Sequence, residues 1–205
     1  MDPATLVAAG FGLGLVLALS SDTLLYLVEA LWLRRSRSVA VAATLGAAVG
    51  DSVLIAAGGW IGCQVVAVVE SPGTRASLAI GLFVGLAAKA LLSRVLFGAK
   101  GVPGNAELPA GPGSAFGRCF LTELFMLTPA ILAAGVVIAW PGLWAPGAAG
   151  PLVVAVVLGG VLWRLVWASD GRGRRRKWGS RAIPDAVTIL TVGLLAGMAV
   201  WAMPR

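Results

Sequence analysis

Six apolar stretches take up most of this chain: Ala4 to Leu33, Val39 to Val69, Ala76 to Phe97, Phe120 to Trp140, Leu152 to Trp167 and Ile183 to Met203. Hydrocarbon offers no hydrogen bonds, so a segment crossing it must satisfy its backbone internally, which a helix of about 20 mostly apolar residues does. The spacing predicts an all-α fold, a polytopic membrane bundle of six transmembrane helices forming a single integral membrane domain over 1–205. Composition agrees: 59% of residues are hydrophobic, 12% are charged and the mean hydropathy is +0.92, outside the balance of soluble domains. The first stretch is too long for one straight crossing. At 1.5 Å per residue it would extend about 45 Å against a hydrocarbon core of about 30 Å, so it must tilt, protrude or break.

A net charge of +7 would suggest nucleic acid in a soluble protein, but here the cations follow the loops. Arg34, Arg35 and Arg37 come after the first span; Lys100 and Arg118 bracket the third connection; Arg172, Arg174, Arg175, Arg176, Lys177 and Arg181 fill the fifth. The second connection holds only Arg75, and the fourth, Pro141 to Gly150, holds none. Cytoplasmic loops collect Lys and Arg, so the alternation predicts three basic loops inside and both termini outside. Nucleic acid is not an expected partner. Membrane lipids are, with anionic headgroups as ligands for the Arg172 to Lys177 cluster. Met1-Asp2-Pro3 brings no cationic region before the first span, which is therefore expected to be retained. Abundant Ala, Gly, Val and Arg beside few Lys point to a bacterial source, hence to the bacterial inner membrane. Cys63 and Cys119 fall near opposite membrane faces, too far apart for a disulfide. With no histidine, the usual zinc sites and histidine-based catalysis are not expected, nor is any cofactor; an enzyme is not the reading.

Gly98 to Gly117, GAKGVPGNAELPAGPGSAFG, reads as a flexible inner linker. It separates a first three-helix half, 1–100, from a second, 118–205, with 101–117 between them. "AIGLFVGLAAKAL" in span three is similar to "TVGLLAGMAVWAM" in span six, and both halves interrupt their first span, at Ser21-Asp22-Thr23 and at Thr128-Pro129. A repeat of three spans re-enters the membrane upside down, giving two inverted halves as in many secondary transporters. Small residues four apart mark helix contacts: Gly46 and Gly50, Gly58 and Gly62, Gly81 and Gly85, Gly193 and Gly197, with Gly10, Gly12 and Gly14 opening span one.

Five of the nine acidic residues fall inside spans: Asp22, Glu29, Asp51, Glu123 and Asp185. Each charge at the bilayer centre costs about 2.5–3.5 kcal/mol or more, so such groups face a bundle interior and mark ion, proton or substrate paths. Asp22, Tyr26 and Glu29 share one helix face, and Ala47, Asp51, Leu54 and Gly58 share another. Pro129 frees a backbone carbonyl near Thr128. The expected site joins Ser21 and Asp22 at a break in span one to Asp51, Glu123 and the Thr128-Pro129 break of span four, to bind or relay a cation or proton. Asp22 and Asp51 are the candidate metal ligands if a cation is carried. The structural alternative pairs Asp22 with Lys89. Arg94 and Arg164 are expected to snorkel to the inner face.

"TLGAAVGDSVLIAAGG" (Thr44 to Gly59) and "AFGRCFLTELFMLTPA" (Ala115 to Ala130) resemble the second span and the start of the second half in the LysE superfamily of bacterial exporters. The resemblance implies six spans in two inverted halves and an exporting function. Amino-acid exporters of that superfamily carry Pro-Gly-Pro in span one and Asn-Pro-Lys in span four; here those positions read Ser20-Ser21-Asp22 and Thr128-Pro129-Ala130. Ser21-Asp22-Thr23 is closer to the cation-handling branches, which include TerC-like and manganese exporters and carry an Asp in span one.

The function expected from the sequence is a secondary transporter exporting a small solute, an amino acid or a metal cation, coupled to protons or ions through intramembrane carboxylates. The alternative is a non-transporting membrane subunit that scaffolds a larger complex. A homodimer or association with other membrane subunits is the protein partnership expected.

Overall fold

The computed structural model describes residues 3–20, 22–97, 108–145, 147–169 and 171–203; the side chains at 3, 5, 19, 20, 22, 23, 25, 93–97 and 171–185 lie outside the description. The described residues form helices and no strand. In chain order they are α1 (Pro3–Ser20), α2 (Asp22–Arg34), α3 (Arg37–Val68), α4 (Pro72–Phe97), α5 (Pro112–Phe125), α6 (Thr128–Ala139), a 3-10 turn (Pro141–Trp144), α7 (Ala149–Ser169) and α8 (Gly171–Trp201). Three helices, α3, α4 and α7, are long and apolar enough to cross a membrane. The α5–α6 pair, bent by 51°, makes a fourth crossing if it is one span. Shorter apolar helical segments run over Leu6–Ala18 and Ala186–Trp201.

Two expectations about connections are corrected. The segment Pro112–Gly117, assigned to the linker, is the first part of α5: Pro112 fits the first turn, where its missing N–H costs nothing, and Ser114 Oγ accepts from the Gly111 N–H at 3.2 Å. Leu108 just before it is buried against α2 and α3. The basic stretch Arg172–Arg181, expected as a loop, is helical, continuing into span six as α8. Arginine and lysine are good helix formers, so a basic run can lengthen a helix beyond the apolar part.

Packing follows the glycines on only some faces. A β-carbon on Gly46 would run into the Phe116 carbonyl of α5, and one on Gly58 into the Ala130 carbonyl of α6. One on Gly62 would lie 2.8 Å from Val137 Cβ. These absences let α3 lie directly on the broken pair α5–α6. On the other side, Gly14 meets the Val156 carbonyl of α7, and Gly10 would place a β-carbon 2.8 Å from that of Ala155. Gly12, Gly81, Gly85, Gly193 and Gly197 instead face open space, so they carry no contact within the described chain.

The described core has two large apolar clusters along the helix axes and a small third one of Trp167 and Val187. One large cluster gathers Leu6, Leu17, Ile55, Phe83, Leu132 and Leu152; Trp140, after the end of α6, stacks on Phe83 and meets Trp201 at the end of α8, with Trp140 and Trp201 centroids 4.4 Å apart. The other gathers Leu24, Leu31, Val39, Ala43, Ala115 and Cys119. The first cluster takes Leu17 of α1 and the second Leu24 of α2; the α5–α6 chain passes from the second cluster to the first at Met126 and Leu127. Along α3, Ala47 belongs to one cluster and Ile55 to the other. Asp51 sits between them.

Candidate functional site

Asp51 occupies the middle of a buried α3 face that includes Ala47, Leu54 and Gly58, as its spacing predicts. The face meets α5, α6 and α7. Gly50 brings α5 close: a β-carbon there would lie 2.7 Å from Glu123 Cβ, so the glycine lets Glu123 stand beside Asp51. From α7, the Arg164 guanidinium reaches both. Its Nη2 donates to Asp51 Oδ2 at 2.9 Å and to Glu123 Oε1 at 3.0 Å. Asp51 is 4% exposed, and Glu123 and Arg164 are fully buried. Three helices thus place three charged groups close to the bend between α5 and α6.

Arg164 is the residue that sequence reasoning misplaced. Expected to snorkel, it is among the largest fully buried side chains. Its position five residues before the end of α7, between Trp163 and Trp167, imitates an interfacial anchor. The overlooked signal is Gly159-Gly160, one turn earlier. Side chains on a helix lean toward its N-terminus, so small residues there leave the arginine a channel to fold back into the bundle. A β-carbon on Gly160 would lie 3.6 Å from Arg164 Nη1.

The cluster is incompletely bonded. A guanidinium has five N–H donors, yet both bonds to the carboxylates leave one nitrogen, while Arg164 Nε, Arg164 Nη1 and Asp51 Oδ1 are buried without a hydrogen-bond partner among the described residues. Two carboxylates compete for Nη2. A proton on either one weakens its bond and releases the cation toward the other.

The remaining predicted site residues are dispersed. Asp51 was expected to meet Asp22; its partner among the described side chains is Arg164, reached where the Asp51 face of α3 packs on α5, α6 and α7. Ser21 and the side chain of Asp22, where the break in span one was expected, lie outside the described residues. Glu29 is buried and Tyr26 half-buried on α2. Asp185 lies in α8 with its side chain outside the description. Thr128 opens α6 and accepts a short hydrogen bond from Lys89 Nζ of α4. Pro129, in the first turn of α6, is buried and lines a narrow apolar cavity of about 320 Å³ with Leu13, Leu17 and Ile55. Among the described residues no group of three His, Cys, Asp or Glu side chains is placed to hold a metal ion. Between Asp51 and Glu123, where a cation would have to sit, there is already a guanidinium. Cys63 and Cys119 are both free thiols.

No protein-family model, curated protein or solved structure matches this chain.

Proposed function

We propose that this chain is a secondary transporter that exports a small solute across the bacterial inner membrane in exchange for protons, with Asp51, Glu123 and Arg164 as the coupling element. The observation that carries the reading is the single buried guanidinium shared by two buried carboxylates beside a broken span. Such a cluster is weak evidence for stability, because desolvating the ions offsets their attraction and apolar residues of similar volume often serve as well. Ionisable groups held inside a membrane bundle more often serve ion, proton or substrate paths.

The mechanism follows from competition for Arg164. The guanidinium keeps its charge at any working pH, so only the carboxylates exchange protons. With both ionised, Arg164 bridges α3 and α5. A proton on Glu123 loosens the α5–α7 link at the bend before α6, freeing that pair to shift against α3. A metal cation is the less favoured cargo, since Arg164 repels it from the only described pair of adjacent carboxylates.

Six spans in two inverted halves belong to this reading. In it, α1–α2 is the broken first span and α5–α6 the broken fourth. Support comes from part of the contact pattern: α1 and α2 pack on α7 as α5 and α6 pack on α3, α4 packs on α8, and the packing of α6 on α4 has a weaker counterpart in that of α1 and α2 on α8, whereas the α2–α3 contact has no such counterpart. The positive-inside pattern orients the bundle with both termini outside. In a chain whose two cysteines are replaced by alanine, Ser71→Cys is expected to react with a membrane-impermeant maleimide added to intact cells, and Ser36→Cys only after lysis; the reverse pattern would invert the orientation.

Profiling metabolites and metals in the medium of cells with and without the chain tests the function. One solute is expected to fall outside and rise inside when the chain is absent. Asp51→Asn and Glu123→Gln, each of which keeps a hydrogen-bonding group of the same shape, are expected to reproduce that loss by at least tenfold in export rate while the protein remains in the membrane.

A second reading, a non-transporting subunit that scaffolds a membrane complex, draws on one observation: Gly81 and Gly85 of α4 and Gly193 and Gly197 of α8 are exposed and meet nothing in the chain. Small-residue faces of this kind favour close helix contact in lipid. Obligate co-purification with other subunits, without any change in the solute profile, would select it.

A further inference from the structure

A second polar constellation lies across α6 from the ion-pair cluster. A cleft of about 390 Å³, counting its open mouth, is lined by Val16, Leu86, Lys89, Thr128, Leu132 and Thr191. Three features converge on it. Lys89 brings an ammonium group to an otherwise mostly apolar lining and donates to the neutral hydroxyl of Thr128; among the described residues no carboxylate pairs with it. Thr128 begins α6, a helix of 12 residues whose first turn, with Pro129 lacking an N–H and the Ile131 N–H bonded to the Leu127 carbonyl, contributes the positive end of the helix dipole. Thr191, 2% exposed, lines the cleft with its Oγ1 bonded to nothing among the described residues, although a buried hydroxyl ordinarily finds a partner.

A cation, a helix N-terminus and an orphaned hydroxyl form the donor set of an oxyanion site. We infer that this cleft is the solute's anchoring subsite, where Lys89, Thr128 and Thr191 hold an oxyanion group such as a carboxylate or a phosphate. The inference rests on the transport reading for the identity of its occupant as cargo. Its chemistry stands apart from that of the Arg164 cluster: Lys89 attracts the anion, the two threonine hydroxyls donate to it, and Thr128 can do so because Lys89 donates to its lone pair. The site sits at the same break as the coupling residues, on the opposite side of α6 from the buried carboxylates, so occupancy and protonation bear on the same helix end.

Binding is measurable without transport. The chain has three lysines, Lys89, Lys100 and Lys177, so reductive methylation with labelled formaldehyde gives three resolvable lysine signals in NMR of the purified full chain, with Lys89 assigned through Lys89→Arg. Sodium acetate, glycine and inorganic phosphate are titrated against a constant chloride background. A saturable shift of the Lys89 signal alone is expected with at least one of them, acetate without phosphate indicating a carboxylate cargo and phosphate without acetate a phosphorylated one. Thr191→Val is expected to weaken that binding about fivefold, the loss of one hydrogen bond. Parallel shifts of all three lysines, or no shift with any anion, would overturn the inference. So would a Lys89 signal that moves on Asp22→Asn and ignores every added anion, because the chain's own carboxylate would then be the occupant. Failure here with proton-coupled export intact removes the subsite alone; binding without export removes the transport reading instead.

Discussion

Arg164→Met is expected to be the most damaging single substitution in the bundle, lowering stability by about 3–5 kcal/mol, because it leaves Asp51 and Glu123 facing each other in a buried site with their shared cation gone. Methionine fills much of the same volume, so the loss is electrostatic rather than a cavity. The same account makes a second, opposite demand. Adding Asp51→Asn and Glu123→Gln to Arg164→Met removes the uncompensated charges, and the triple variant is expected to regain most of the lost stability. Unfolding in mixed detergent micelles, followed by tryptophan fluorescence, measures both. A triple variant no more stable than Arg164→Met would show that the arginine acts through packing along Gly160 instead.

Gly14→Ala is expected to cost about 2–3 kcal/mol, the range of overpacking in a filled core, although alanine is the better helix former. The added methyl meets the Val156 backbone carbonyl of α7 rather than a side chain that can swing away. Helices α1 and α7 must then separate, and the contacts of Gly10 with Ala155 and of Gly159 with the Phe11 carbonyl loosen together. Gly12→Ala, two residues away and facing open space, is the matched control, expected within about 0.5 kcal/mol of the parent. Equal effects at the two positions in the same unfolding assay would contradict the α1–α7 crossing described here.

These cases show what the sequence makes legible and what it hides. Helix content and the break before Thr128 follow from local chemistry: apolar run length and a proline. The inward face of Asp51 follows from helical periodicity. Its partner does not, because pairing between α3 and α7 depends on which helices are neighbours, and nothing local in residues 44–59 encodes that. Arg164 was hidden by its surroundings, since arginine between tryptophans near a helix end has the same local pattern whether it points to headgroups or into the bundle. Glycine spacing was equally ambiguous. Gly46, Gly58 and Gly14 seat neighbouring backbones, whereas Gly81 and Gly193, spaced the same way, face outward. Spacing marks a smooth helix face, and only the tertiary arrangement decides what covers it.

Proteoliposomes containing a trapped pH indicator, loaded with the solute that medium profiling identifies, test proton exchange at the shared guanidinium most directly. Imposing an outward solute gradient should drive protons inward through the parent chain, with the flux abolished in Glu123→Gln and in Asp51→Asn although both proteins are folded and inserted. Solute efflux at the parental rate in either variant, or efflux with no accompanying change in internal pH, would contradict the account.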